Sequence, residues 1–148
     1  MINTKTAIYL FILMWILCFP FSLLFFMSDF ASSIIPGWHT TTDSFYLINS
    51  LIKLLLLSLV ILGYLKLSKT NDKLSSKFFY SHFFLTLPSI LFSKIPMFFL
   101  IGFNIDTNKI IQQIVIVGYI KIGLFILFLI GQILFFIHYY KTKKRLSN

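Results

Sequence analysis

The chain contains no glutamate, and its only acidic residues are Asp29, Asp43, Asp72 and Asp106. It has one cysteine, two alanines and six glycines in 148 residues. A single cysteine, Cys18, excludes an intrachain disulfide, a C-x-x-C redox pair and a thiolate zinc site. The scarcity of carboxylates, none of them inside an apolar run, excludes a carboxylate proton relay through those runs. H-E-x-x-H, G-x-S-x-G and phosphate-binding glycine-loop patterns are also missing. No catalytic residue and no metal-ligand set can be named, the cofactor is undetermined, and the reading leans toward a non-enzyme. Two alanines against 19 phenylalanines fit an AT-rich, bacterial genome.

What is abundant is apolar. Hydrophobic residues make up 58% of the chain and aromatics 19%, with 11% charged, whereas a soluble domain carries about 25% charged residues. The net charge of +9 falls in short runs beside apolar stretches and not on a basic face, so nucleic acid is not the expected partner. A helix needs roughly 20 apolar residues to cross a bilayer. Four segments reach that length: 7–27, 45–65, 78–103 and 110–140. The first follows a single lysine, Lys5, is longer than a signal-peptide core and has no small-x-small cleavage site after it, so it reads as a retained anchor. The expected fold is all-α, a single integral membrane four-helix bundle spanning residues 1–148.

Orientation follows from the basic residues. Lys5, the group Lys66, Lys69, Lys73 and Lys77, and the group Lys141, Lys143, Lys144 and Arg145 lie on one side. Lys109 alone stands on the other, with Asp29, Asp43 and Asp106. Positive charge favours the cytoplasm, so both termini are expected to be cytoplasmic and the membrane to be a bacterial inner membrane. Trp38, Phe45 and Tyr46 mark the outer boundary, and Phe78, Phe79, Tyr80, Tyr139 and Tyr140 the inner one, as amphipathic rings do at headgroup level.

Lys53, Lys94 and Lys121 lie inside three of the apolar runs without an acidic neighbour, and intramembrane charge is a functional hypothesis by default. Counted along the helices, all three come roughly 12–17 Å from the outer ends, with Pro88 and Pro96 flanking Lys94. One reading is a basic pocket for an anionic lipid headgroup or small anion, to which Asn49, Ser50, Ser58, Ser89 and Ser93 add polar groups. The others are three lysines snorkelling to the outer surface, or a shallow water-filled cavity.

The outer loop carries the run Asp29-Phe30-Ala31-Ser32-Ser33-Ile34-Ile35-Pro36-Gly37-Trp38-His39-Thr40-Thr41. Pro-Gly signals a turn, with Trp38 as its interfacial anchor and His39 among hydroxyl residues near Asp43. This run resembles a segment of the NrfD-like, polysulfide-reductase-type membrane subunits, which carry D-F-A…P-G-W-H-[ST]-T before a transmembrane helix. The resemblance covers about a tenth of the chain, and Thr42-Asp43-Ser44 departs from the apolar-aromatic continuation of that family. It implies a quinone-reactive subunit beside iron–sulfur or haem proteins, with Trp38 and His39 near a quinone headgroup or a partner.

His82 and His138 fall near the cytoplasmic ends of spans three and four, where they can face each other as interfacial residues or as axial ligands. Gln132 is expected to hydrogen-bond between helices. Three functional classes remain open. The first is a non-enzymatic accessory or small-ligand and lipid-binding protein, acting with partner membrane subunits or as a homo-oligomer. The second is an oligomeric anion transporter or channel component. The third is a quinone- or haem-associated redox subunit.

Overall fold

A computed structural model describes residues 1–19, 44–69, 73–95 and 107–147. Four helices make up almost all of it: α1 (Thr4–Cys18), α2 (Ser44–Ser68), α3 (Ser76–Ser93) and α4 (Thr107–Ser147). The fold is all-α, as expected. Two helices are long and apolar enough to cross a membrane, through Ile48–Ser68 and Ile111–Lys144. The one β feature among the described residues pairs β1 (Ile2–Asn3) antiparallel with β2 (Lys73–Leu74), Ile2 opposite Leu74. This clip holds the N-terminus against the segment that precedes α3.

Helix starts and stops follow local chemistry. The Asn3 side chain accepts from the Lys5 backbone N–H at 2.9 Å, an N-cap that satisfies one of the orphan donors of α1. At its other end Phe19 leaves helical geometry with φ −59° and ψ 130°. That is where a residue preceding proline is driven, and Pro20 follows. α3 tolerates Pro88 within it but closes at Lys94 and Ile95, whose backbone N–H groups fold back to Leu91 and Phe92. Pro96 comes next and has no N–H to continue the ladder. The first and third expected spans, 7–27 and 78–103, therefore break at proline. The described helices α1 and α3 end at Cys18 and Ser93, and residues 20–43 and 96–106 lie outside the described structure.

The helices pack as two close pairs, α1 with α2 and α3 with α4, joined by lighter contacts of α2 with α4 and α1 with α3. The core is aromatic. Phe11, Tyr64, Phe128 and Phe135 are fully buried, and Tyr64 and Phe135 approach to 4.7 Å between ring centroids. Two glycines permit this. A Cβ on Gly63 would stand 2.7 Å from the Phe135 ring, and one on Gly131 would stand 3.1 Å from Leu85 Cβ. Gly118 and Gly123 meet nothing within 4 Å, so α4 packs closely through one glycine, Gly131.

The distribution of polarity is the reverse of a soluble bundle. Exposed faces carry Leu51, Ile52, Leu55, Leu59 and Leu62 on α2 and Ile116, Ile120, Ile126, Ile130 and Ile133 on α4. Buried faces carry Lys53, His82, Thr86, Ser89 and Gln132 beside the aromatics.

Candidate functional site

Toward the proline-terminated ends of α1 and α3, the bundle interior collects lysine ammonium groups. Lys53, nine residues into α2, is only 3% exposed. Its Nζ donates to the Ser89 carbonyl of α3 at 3.0 Å and stands 5.9 Å from the ring centroids of both Phe125 and Phe128 on α4, within cation–π range. Lys94 is half-buried and donates to the Phe19 carbonyl at 2.9 Å. Lys121 is partly exposed on α4, and Lys53 lies within electrostatic range of Lys94, Lys121 and Cys18.

Those two hydrogen bonds show how the ammonium groups are held. Phe19 is the C-cap residue of α1, its N–H donating to Ile16 O, and Ser89 lies four residues before the last residue of α3. Helix C-termini carry roughly half a negative charge, which favours a cation placed there. The end of α1 at Cys18 leaves the Phe19 carbonyl available to Lys94. Among the described residues there is no carboxylate at all, since every aspartate falls outside them.

The hydroxyls expected around the lysines divide. Ser58 donates to Leu54 O at 2.8 Å and accepts from Trp15 Nε1 at 2.8 Å, while Ser93 donates to Ile90 O at 2.7 Å. Their donors are occupied by their own helices. Ser50 and Ser89 are buried. Asn49, one turn before Lys53 on α2, has its side-chain oxygen shielded from solvent without a hydrogen-bond partner among the described residues, as does Gln113 on α4. Trp38 and His39 of the outer loop lie outside the described residues.

A second polar cluster lies nearer the opposite end, and every one of its groups is matched. Tyr64 Oη and His82 Nδ1 are 3.0 Å apart, and His82 Nε2 is 3.4 Å from Gln132 Oε1. Gln132 Nε2 donates to Thr86 Oγ1 at 3.2 Å and to Phe128 O at 3.3 Å, and Thr86 donates to His82 O at 2.7 Å. One proton arrangement satisfies all of these: Tyr64 donates to Nδ1 and Nε2–H donates to Gln132. Phe11 stacks on the imidazole at 4.6 Å and Phe135 at 5.1 Å. Gln132 does hydrogen-bond between helices. His82 and Thr86 were not legible as its partners, nor Tyr64 as the partner of His82, although the spacing of His82 and Thr86, four apart on α3, is the signal that unites those two.

The two histidines have different settings. His138 stacks on Phe78 with 3.7 Å between centroids, whereas His82 engages both ring nitrogens inside the cluster. To ligate a metal, His82 would first have to release Tyr64 or Gln132. Among the described residues no group of three or more His, Cys, Asp or Glu side chains is arranged to hold a metal ion.

The chain matches no protein family, no curated protein and no solved structure. The resemblance of residues 29–41 to NrfD-like subunits is confined to that short segment.

Proposed function

We propose that this chain is a non-enzymatic integral membrane protein of four helices, with both termini cytoplasmic, whose interior lysines hold an anionic group. The anion is a phospholipid headgroup or a small oxyanion that enters from the outer face. Membrane residence is supported by the inverted polarity of the bundle. Only 17% of the apolar window in α4 is buried, whereas the core helix of a soluble protein is mostly buried, and neither long apolar helix is N-terminal. Leucine and isoleucine side chains exposed in such numbers need an apolar surrounding.

Orientation is supported by the clustering of charge at one end. The β1–β2 clip brings Lys5 near the α2–α3 connection. Phe78 against His138, and Gly63 beside Tyr139, bring the end of α4 to the same side. Lys5, Lys66, Lys69, Lys77, Lys141 and Lys143 are all exposed there, which is a cytoplasmic signature. From this end, α1 from Lys5 to Phe19 runs about 21 Å and α3 from Lys77 to Lys94 about 26 Å. Both fall short of a hydrocarbon core about 30 Å thick. Lys53, Lys94 and Lys121 then lie in the outer half.

The observation that carries the anion reading is the Lys53 ammonium: interior, near two like charges, and using one of three donors on a protein partner among the described residues. Native mass spectrometry of the purified chain tests it. Wild type should retain anionic phospholipid through detergent exchange, and Lys53→Met combined with Lys121→Met should not. Equal retention by both would remove the anion reading. Topology is tested separately in a Cys18→Ala background. Single cysteines at Thr41 and Asn108 should label from outside, and one at Asn71 only after permeabilisation.

A further inference from the structure

In the orientation proposed above, nine of the 13 basic residues belong to the cytoplasmic end, with one acidic residue, Asp72, on the same side. Topology alone asks for such a bias, but not for the pattern in which the lysines stand. On α1, Lys5 and Tyr9 are four positions apart and both are exposed. On α3, exposed Lys77 and Tyr80 are three apart, and on α4 exposed Tyr140 and Lys143 repeat that spacing. α2 ends with exposed Leu62 four positions before exposed Lys66. Residues three and four apart share a helix face, so each helix carries one such pair.

The order within the pairs follows the direction of the chain. α1 and α3 begin at this end and α2 and α4 finish here, and the lysine comes first on α1 and α3 and second on α2 and α4. On all four helices the lysine is therefore on the water side, and the tyrosine or leucine is one turn deeper. The β1–β2 clip and the stacking of Phe78 on His138 hold these ends together. A lysine keeps its stem along apolar surface and its head among headgroups, and tyrosine settles at the same level.

The charges thus stand round the rim of the bundle, each beside a lipid-facing neighbour. A soluble acidic partner would be met by charge gathered on one cytosolic face, whereas charge spread round a rim meets the headgroups beside it. Resting on the membrane residence proposed above, and not on the interior lysines, we infer that this rim is a collar that gathers anionic phospholipid from the cytoplasmic leaflet. Basic clusters just outside a membrane span attract anionic lipid in this way, over a range set by salt. Collar lipid is water-exposed and exchangeable, unlike a headgroup held at Lys53.

The full chain in nanodiscs of equal phosphatidylglycerol and phosphatidylcholine, followed by native mass spectrometry, tests this. The two leaflets of a disc are alike, so orientation does not affect the result. Wild type should carry phosphatidylglycerol about fivefold over phosphatidylcholine at low salt, the scale of one lysine held near an anionic surface. The preference should shrink at about 0.5 M salt, where screening acts within about 4 Å. Replacing Lys5, Lys66, Lys77 and Lys143 by glutamine should abolish the salt-sensitive part, and replacing the same four by arginine should preserve it. Lys53→Met with Lys121→Met should also preserve it. These collar positions are exposed, so an unchanged unfolding temperature certifies the glutamine variant. Equal low-salt preference in wild type and the glutamine variant would overturn the collar and leave the interior site standing. No preference in wild type would overturn it too, and would leave a soluble acidic partner for these lysines. Failure of the chain to enter the discs would overturn the collar together with membrane residence.

Discussion

The two polar clusters in this bundle lie in the same apolar interior and differ in their hydrogen-bond accounting. Around His82 every donor meets an acceptor, and the rings of Phe11 and Phe135 stack on the imidazole. Lys53 makes one hydrogen bond, to the Ser89 carbonyl, and Asn49 one turn away on α2 has a side-chain oxygen without a partner among the described residues. A satisfied network in a medium that offers no water stabilises one helix arrangement and rejects others. An unsatisfied one is stable only when something else completes it. The first cluster reads as structure, and the second is the place where the proposed ligand would act.

The sharpest way to break this contrast is to remove His82. His82→Ala should cost roughly 3–5 kcal/mol, the range for deleting a buried ring, because it opens a cavity and strands Tyr64 and Gln132. Thermal unfolding in lipid-free detergent measures it, and a loss under about 1 kcal/mol would show that the cluster does not hold the bundle.

Close approach gives the next effect. Gly63→Leu and Gly131→Leu should each destabilise by about 1–3 kcal/mol through overpacking, since an added Cβ meets Phe135 or Leu85. Gly123→Leu, into open space, should stay within about 0.5 kcal/mol. Equal losses at all three positions would contradict the described packing.

Lys53→Met sharpens the comparison from the other side. Replacing a buried charge with an apolar side chain of similar length is often neutral or stabilising. The variant should unfold at or slightly above the wild-type temperature without lipid, and should lose the stabilisation that added phosphatidylglycerol gives wild type. A large loss of stability without lipid would move Lys53 into the structural class with His82. The smallest expected effect is Trp15→Phe, which removes the indole hydrogen bond to Ser58 and should cost about 1 kcal/mol.

Parts of this were legible in the residues alone. The apolar runs located four helices, and Lys53 and Lys94 stood out as lysines inside them, which the structure holds at the Ser89 and Phe19 carbonyls. Gln132 was recognisable as an interhelical bond because a buried amide has no other outlet. The early ends of α1 and α3 were also readable, since Phe19-Pro20 and Ile95-Pro96 each carry the pre-proline restriction, but a run of apolar residues masks that signal when length is the criterion. The pairing of Tyr64 with His82, between two helices, was not readable.

The sequence by itself determined helix class, number and approximate position, because the length and composition of an apolar run do not depend on what the run touches. It determined the charge asymmetry of the two ends in the same way. Azimuth was left to the tertiary structure. These helices are apolar all round, so no moment says which face turns inward. Only packing around Gly63 and Gly131 decided that His82 meets Tyr64 and Gln132. Only the packing decided that the Lys53 and Lys94 ammonium groups meet the Ser89 and Phe19 carbonyls, because a hydrogen bond from one helix to another depends on which faces turn together and where each helix stops.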